Sequence, residues 1–401
     1  MTPSPLSADR IATASLYKFK SLPKTGKPSC NEWTVLSSIL KYNSNTDVLE
    51  VVAIGTGTKC LGKDYIFSGS GEIINDSHAE VMSRRGFLRY ILDSIRQRKH
   101  FTFDDANKKF RLDPTISFHF FTTHPPCGDA SIFDIKDDDD EPKCKKPKRD
   151  ENGDDNIGGR IPSTHATGGK LFETDVIDLM SQDIGEIRTK PGKGIRTLSV
   201  SCSDKLSRWN ILGIQGALLD SILERPIYLS SFTICGVGNV ASIERAIWKR
   251  WLDKFSITLP ERYRMQNPTV TVANEDIKFE FLHTDSRTPS SNSIVWCDVE
   301  HRSLEIAVGG KRQGVTKKKL NTSMGRLLIS KMEIYRQFLD VVLNVHDDIQ
   351  SSSAFNRLMS YADAKYVAEE YRLAWSTLRE KVFKKWTVKK NIKYDFVLKN
   401  D

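Results

Sequence analysis

A short motif, Ser77-His78-Ala79-Glu80, combines residue types that can do chemistry. The His78 imidazole can bind a metal ion, and a carboxylate two residues further on can transfer protons. The same residues also fit a structural pattern, because a serine followed three positions later by a glutamate forms a capping box at the start of a helix. Taken alone, the motif favours neither interpretation.

A second motif, PPCGDAS at residues 125–131, directly follows a strand-like run. His-x-Glu followed by Pro-Cys is the first half of a zinc deaminase signature, in which His and Cys bind zinc and Glu moves protons. The second cysteine of that signature would stand at position 130, which is alanine. A catalytic zinc needs three protein ligands and an open position for water, so the third ligand must come from elsewhere.

The candidate for the third ligand is Cys202, in the motif SCSDK at residues 201–205. It precedes an amphipathic pattern, and a helix N-terminus stabilises the thiolate that binds metal. His119 and His124 compete for this role, although a structural or substrate-adjacent position is the more common one for such histidines. The remaining cysteines are interpreted as ordinary thiols: Cys30, Cys60, Cys144, Cys235 and Cys297.

The elements around these motifs alternate between strands and helices. Apolar runs rich in β-formers predict strands at Val48–Ile54, Ile116–Phe121, Ile227–Cys235 and Leu304–Val308. The glycines at 55–57 predict a hairpin after the first of these. Helical periodicity covers Val81–Ile95, more loosely Leu206–Ile222, and several segments between Met324 and Trp386. We therefore expect an α/β fold, a mixed sheet flanked by helices, with a C-terminal helical extension.

The amino-acid composition limits the classes of protein to which the chain can belong. The chain has 401 residues, 39% of them hydrophobic, with seven cysteines in no framework spacing. These values exclude a disordered tail and a disulfide mini-protein. No run is long enough to cross a bilayer, and the N-terminus carries no signal pattern, so cytosol or nucleus is expected. Residues 134–155 mix charges of both signs and predict a disordered insert.

The net charge is +9, and the segment after Gly310 carries an excess of that size. A basic region favours a polyanionic partner, most often nucleic acid, although a merely solvated surface is the alternative. Three adjacent lysines, Lys317, Lys318 and Lys319, are candidates for such a surface.

The three motifs together resemble the adenosine deaminase domain shared by the RNA-editing adenosine deaminases and the tRNA-specific adenosine deaminases. The resemblance covers almost the whole chain, and it implies one domain over residues 1–401 with a cytidine-deaminase-like core. It implies hydrolysis of adenosine to inosine, with Glu80 as the catalytic residue. It also implies that Zn²⁺ is held by His78, Cys127 and the cysteine of the SCSDK motif, Cys202.

The N-terminal part of the chain decides between the RNA-editing and the tRNA-specific branch of this family. Editing enzymes carry double-stranded-RNA-binding domains ahead of the deaminase domain, and few residues precede His78 here. LPKTGKP at 22–28 and NEWTVL at 31–36 resemble the opening of the tRNA-specific branch. The resemblance thus implies a tRNA partner, with the adenosine 3′ of the anticodon of alanine tRNA as target. We expect no membrane and no obligate protein partner. A double-stranded RNA editor, a catalytically silent RNA-binding scaffold and a structural zinc protein are the alternatives.

The family also buries inositol hexakisphosphate behind the zinc. The matching positions here are Asn75, Arg84, Arg85, Lys205, Arg208, Trp209, Lys331, Tyr361, Lys365, Tyr371, Trp386 and Lys389. Many buried cations need compensating anions, which agrees with this assignment. Without the resemblance, surface cations and ordinary core aromatics would be the simpler interpretation. Lys205 could further link the polyanion to Cys202 through Asp204 or water, as groups behind metal ligands do.

Overall fold

A computed structural model describes residues 6–62, 71–134, 164–165, 183–190, 197–344, 355–387 and 395–398. Its helices are α1 (Ala8–Ser21), α2 (Ala79–Arg96), α3 (Cys202–Leu212), α4 (Gly216–Asp220), α5 (Val240–Ile247), α6 (Lys331–Asn344), α7 (Tyr361–Tyr366) and α8 (Glu369–Lys381). Its strands are β1 (Glu32–Trp33), β2 (Leu36–Asn43), β3 (Val48–Thr56), β4 (Thr58–Cys60), β5 (Asp76–His78), β6 (Phe101–Asp104), β7 (Lys109–Leu112), β8 (Ile116–Thr122), β9 (Phe133–Asp134), β10 (Thr164–His165), β11 (Leu229–Ile234), β12 (Thr269–Val272), β13 (Thr288–Pro289), β14 (Asn292–Cys297), β15 (Leu304–Val308) and β16 (Lys311–Arg312).

Eight of the strands form one mixed sheet in the order β12-β11-β8-β2-β3-β14-β15-β16. β8, β11 and β12 run parallel, whereas the pairs from β8–β2 to β15–β16 are antiparallel. The predicted mixed α/β architecture is confirmed. The predicted hairpin at the glycines 55–57 is wrong, because β3 pairs with β2, and β4 pairs with β5 instead.

The sheet is covered on both faces, as the alternation of its side chains requires. Ile39, Ala53 and Phe120 pack into the core cluster that contains the apolar face of α2. The neighbouring residues Leu40, Ile54 and Phe121 pack into the cluster that contains α1. Because successive side chains of a strand point to opposite faces, α1 and α2 lie on opposite sides of the sheet.

The helical predictions hold with one correction. α2 matches the pattern seen at Val81–Ile95, and α6, α7 and α8 occupy the predicted C-terminal region. The looser pattern at Leu206–Ile222 is two helices, α3 and α4, because the chain turns at Gly213 with a φ of +80°. That conformation is accessible to glycine at little cost and ends α3.

Part of the prediction lies outside the described residues. The insert predicted at 134–155, which contains Cys144, lies outside the described residues except for Asp134. Lys389 lies outside them too. Within the residues that the structure describes, no helix combines the length and the apolar character needed to cross a bilayer.

Candidate active site and anion cavity

Three elements bring the motif residues together. His78 ends β5 and precedes α2, Cys127 lies in the loop after β8, and Cys202 is the first residue of α3. The Ser201 hydroxyl caps α3 by accepting a hydrogen bond from the Asp204 amide at 3.1 Å. The capped N-terminus therefore presents Cys202 where the helix dipole stabilises negative charge.

The side chains of His78, Cys127 and Cys202 form a compact group of possible metal ligands. Their donor atoms all lie within 4.8 Å of one another. His78 Nδ1 is 3.8 Å from Cys127 Sγ, and the Cys202 amide donates to the same sulfur at 3.3 Å. One imidazole nitrogen and two thiolates suit Zn²⁺ and leave the fourth tetrahedral position for water. The donor set thus fits a catalytic zinc.

Glu80 lies in the first turn of α2, next to this group. The residue is 3% exposed, and its Oε2 atom is buried without a hydrogen-bond partner. The capping-box interpretation is wrong, because the N-cap residue is His78, which makes no side-chain capping bond, and Ser77 belongs to β5. A buried carboxylate oxygen that the fold leaves unsatisfied is uncommon and is available to a substrate or water.

The two cysteine loops approach each other closely at Gly128, which has a φ of +102°. A Cβ atom at this position would lie 2.3 Å from the Ser201 Oγ. Ser203 bridges the same loops, since its hydroxyl donates to the Pro126 carbonyl and accepts from the Ala130 amide, both at 3.0 Å. Only glycine allows this approach of Cys127 to the start of α3.

Lys190 lies behind the cysteine group, and no sequence motif indicates a role for it. Its side chain is fully buried, and its ammonium donates to Cys202 Sγ and to Asp76 Oδ1, both at 3.0 Å. The other oxygen of Asp76 binds Lys205, which lines a cavity described below. A link from Lys205 to Cys202 therefore exists, and it runs through Asp76 and Lys190.

The prediction that Asp204 carries this link is wrong. Its carboxylate accepts from the Ser201 hydroxyl at 2.6 Å and forms an ion pair with Arg250 at 2.7 Å. Asp204 therefore stabilises the N-terminal turn of α3. The signal that could have identified Asp76 is its position two residues before His78, where its Oδ1 accepts from the His78 amide at 3.1 Å.

Charged side chains in this region keep one another ionised. Burial opposes ionisation of Asp76, but Lys190 and Lys205 hold the pKa of its carboxyl well below the usual range. Burial likewise opposes the charge on Lys190, yet Asp76 keeps the pKa of its ammonium well above the usual range. A hydrogen bond from Cys202 lowers the pKa of the Cys127 thiol, and Lys190 acts in the same direction. The site thus favours a thiolate at Cys127.

The competing histidines do not join the group. His119 lies between two hydroxyls, Ser117 at 3.0 Å and Ser231 at 2.8 Å, and burial lowers its pKa to about 4. His124 Nδ1 contacts the Thr123 hydroxyl at 3.0 Å. Cys60 lines the cavity, Cys235 and Cys297 are buried, and Cys30 is exposed.

Behind the cysteine group lies a cavity of about 590 Å³ between α2, α3 and the C-terminal helices. Its walls contain every described residue that was predicted to bind the polyanion: Asn75, Arg84, Arg85, Lys205, Arg208, Trp209, Lys331, Tyr361, Lys365, Tyr371 and Trp386. Trp375 and Arg379, which were not predicted, also line the wall. Asp76 is the only acidic residue among the described lining residues.

The cations of the cavity are crowded. Burial lowers the pKa of Arg84 to about 10, and the nearby guanidinium groups of Arg85 and Arg208 act in the same direction. The Arg208 guanidinium lies 3.8 Å from the centre of the Trp375 ring, and its buried Nε has no hydrogen-bond partner. Such a wall fits a multiply charged anion, because phosphate oxygens satisfy several cations at once.

The lysines predicted to meet RNA lie apart from this cavity lining. Lys317, Lys318 and Lys319 form an exposed 3₁₀ turn after β16. Their contact with RNA stays a prediction.

Comparisons with known proteins identify the family of the chain. Residues 53–390 match the family described as "Adenosine-deaminase (editase) domain". The chain is 41% identical to tRNA-specific adenosine deaminase 1 of Drosophila melanogaster over 96% of both chains, and 30% identical to the Homo sapiens protein of that name over 95% of this chain and 97% of the relative. Double-stranded RNA-specific adenosine deaminase of Mus musculus is 29% identical over 97% of this chain but only 32% of its own length. The chain therefore belongs to the adenosine-deaminase (editase) domain family of enzymes.

Proposed function

We propose that the protein is a zinc-dependent tRNA adenosine deaminase that converts adenosine to inosine, and that its target is the adenosine immediately 3′ of the anticodon in alanine tRNA. The observation that carries the chemistry is the buried, unpartnered Glu80 Oε2 beside the group formed by His78, Cys127 and Cys202. A scaffold would gain nothing from leaving a buried carboxylate oxygen unsatisfied.

His78, Cys127 and Cys202 would hold the metal, and zinc when bound supplies a water of lowered pKa. Glu80 is the proton carrier: its carboxylate takes one proton from the attacking water and delivers it to a ring nitrogen of the adenine, and it then passes the second proton of that water to the departing amine. Water and adenosine are consumed, and ammonia and inosine are released. Because Glu80 is buried, the adenine must leave its stack to reach it, as in a loop or a flipped nucleotide.

The proposed substrate class, tRNA, is inferred from the names of the relatives. Those named tRNA-specific adenosine deaminase 1 match this chain over nearly their whole length, whereas the double-stranded-RNA-specific relative extends far beyond the match. The anticodon position and alanine tRNA rest on the family resemblance alone. The expected location in cytosol or nucleus stays a prediction.

The cavity supports a second part of the proposal, a buried inositol hexakisphosphate. Cations and aromatic rings line it from α2, α3 and the C-terminal helices, and a single carboxylate among the described lining residues opposes them. A polyanion there would neutralise Arg84 and Arg208 and hold the C-terminal helices against the core. Because the cofactor would be enclosed by separate segments of the chain, we propose that it binds during folding.

The test is an inosine assay on folded alanine tRNA and, separately, on a long RNA duplex. The purified protein should form inosine beside the anticodon, and Glu80→Ala should abolish turnover while its zinc content stays unchanged. Inosine in the duplex alone would favour the editing alternative. Zinc without inosine in either RNA would favour a scaffold, and loss of folding in Glu80→Ala would assign Glu80 a structural role.

A further inference from the structure

The residue two positions after each candidate cysteine ligand is an aspartate, Asp129 after Cys127 and Asp204 after Cys202. Both carboxylate side chains are fully buried, and each forms an ion pair with an arginine. The two arginines belong to one continuous segment, α5 and the 3₁₀ turns that follow it at Lys249–Lys254. Two loops from distant parts of the chain are thus held by one short piece of structure.

The first arginine, Arg245, makes three hydrogen bonds to the Cys127 loop. Its Nε donates to Asp129 Oδ2 at 3.0 Å, and its Nη2 donates to the carbonyl oxygens of Asp129 at 2.8 Å and Ile132 at 2.7 Å. The planar guanidinium presents these donors in a fixed arrangement, which fixes the loop backbone as well as the carboxylate. Ser242, one turn earlier in α5, donates to the Ala130 carbonyl at 3.0 Å.

The second arginine, Arg250, holds the start of α3. Its Nη2 donates to Asp204 Oδ1 at 2.7 Å, while its Nε donates to the Ala246 carbonyl of α5 at 2.9 Å. The other oxygen of Asp204 accepts from the Ser201 hydroxyl and from the Arg188 amide at 3.0 Å. The N-terminal turn of α3, and Cys202 with it, is therefore tied to α5.

We propose that Arg245 and Arg250 are positioning residues of the metal site, which set the separation of Cys127 and Cys202 before the metal binds. The inference rests on the proposed function, because it assumes that these cysteines are ligands. Cys127 and Cys202 belong to distant parts of the chain, so their separation needs a restraint from outside the two loops. A restraint that is already in place lowers the cost of ordering the ligands, which raises the affinity for the metal.

The competing explanation is that Arg245 is an ordinary buried ion-pair partner that stabilises the fold. The chain offers a matched comparison in Arg262, which lies 3.7 Å from the buried Asp220 and donates to the Leu223 carbonyl at 2.9 Å. Arg245 and Arg262 have similar side-chain exposure, 24% and 17%. Of these two arginines, Arg245 contacts a cysteine loop and Arg262 contacts Asp220 and Leu223, so the two substitutions separate ligand positioning from general stability.

The experiment uses the full chain, with its metal removed by a chelator and Co²⁺ as the probe. Sulfur-to-Co²⁺ charge-transfer absorption reports thiolate ligation directly, and competition with a chromophoric chelator gives the affinities for Co²⁺ and Zn²⁺. Arg245→Lys keeps the positive charge but loses the planar guanidinium and its fixed set of donors. We expect a loss of about 10- to 100-fold in metal affinity, with an altered charge-transfer spectrum. Arg262→Lys should leave both readouts at the wild-type values. Ser242→Ala, a milder change at the same loop, should give a smaller loss of affinity in the same direction.

The outcomes separate the inference from the function on which it rests. If the wild-type protein shows no thiolate-to-Co²⁺ band, the proposed ligand set is wrong. If the wild type shows the band and Arg245→Lys binds with wild-type affinity and spectrum, the positioning role is wrong. An equal loss of metal affinity in Arg262→Lys would mean that the effect of Arg245→Lys reflects general stability and not ligand positioning. Should Arg245→Lys fail to fold, wild-type affinity in a folded Ser242→Ala would equally contradict the proposal.

Discussion

The Lys190 ammonium lies 3.0 Å from the Cys202 sulfur, with its side chain fully buried. The same ammonium binds Asp76, whose other oxygen binds Lys205 in the wall of the anion cavity. A charged hydrogen bond to a thiolate draws electron density from the sulfur and weakens its donation to a bound metal. The cavity and the cysteine group are therefore joined by a continuous run of charged side chains.

Lys190→Met should lower the turnover of adenosine by about 10- to 100-fold, because the substitution removes the donor to Cys202 and leaves Asp76 with one fewer cation. The measurement is the rate of inosine formation at saturating tRNA, together with zinc content. Lys109→Met provides the control, since the Lys109 ammonium donates to the Ser221 carbonyl, away from the cysteines. Wild-type turnover in a folded, zinc-loaded Lys190→Met would show that this hydrogen bond has no influence on the chemistry.

The contrast between Lys190 and Glu80 shows how far the sequence could predict this site. His78, Glu80 and Cys127 stand in short motifs whose residue types and spacing carry chemistry on their own. Lys190 is a single lysine whose role depends on burial against Cys202, and its partner Asp76 is separated from it by more than a hundred residues. Contacts of this range follow from the tertiary fold, which no local pattern encodes.

Strand positions were predictable from apolar runs rich in β-formers, as at Leu304–Val308, where the structure has β15 with the same bounds, but the pairing of β4 with β5 was not. Glycines mark a turn without specifying which strands it joins. The cavity residues were predicted only through the family resemblance, because Tyr361 and Trp386 have the pattern of ordinary core aromatics. Their common feature is the cavity itself, which forms only when the C-terminal helices pack against α2 and α3.

Arg208→Met should destabilise the protein by about 2 kcal/mol if a polyanion occupies the cavity, because a charged hydrogen bond to a buried anion is lost. The free energy of unfolding in urea gives the change. Acid-denatured wild-type protein should also release inositol hexakisphosphate, detectable by mass spectrometry. Arg264→Met, at an exposed position, is the control. Wild-type protein that unfolds without releasing any polyphosphate would contradict the assignment of this ligand.

Stability should fall on acidification because of His119. The unfolded chain takes up a proton on this imidazole near pH 6.5, whereas burial keeps the folded imidazole neutral down to about pH 4. The unfolded state binds more protons in this interval, so the free energy of unfolding decreases as the pH falls from 6.5 to 4, by about 3 kcal/mol. His119→Gln should flatten this part of the pH profile.

Urea unfolding at several pH values between 7 and 4 measures that profile. His283→Gln, at an exposed histidine, should leave its slope unchanged. An identical slope in wild type and His119→Gln would mean that other groups cause the acid sensitivity.

Gly128→Ala should displace the Cys127 loop, since a Cβ atom would lie 2.3 Å from Ser201 Oγ and the φ of +102° disfavours any L side chain. Gly309→Ala separates these two effects, because Gly309 also has a positive φ, +56°, but nothing within 4 Å of an added Cβ. Backbone strain alone should cost Gly309→Ala about 1 kcal/mol of unfolding free energy and leave zinc affinity intact. Gly128→Ala should cost more and bind zinc more weakly, as measured by chelator competition. Equal losses in the two variants, with zinc affinity retained in both, would mean that the close approach of the cysteine loops does not define the metal site.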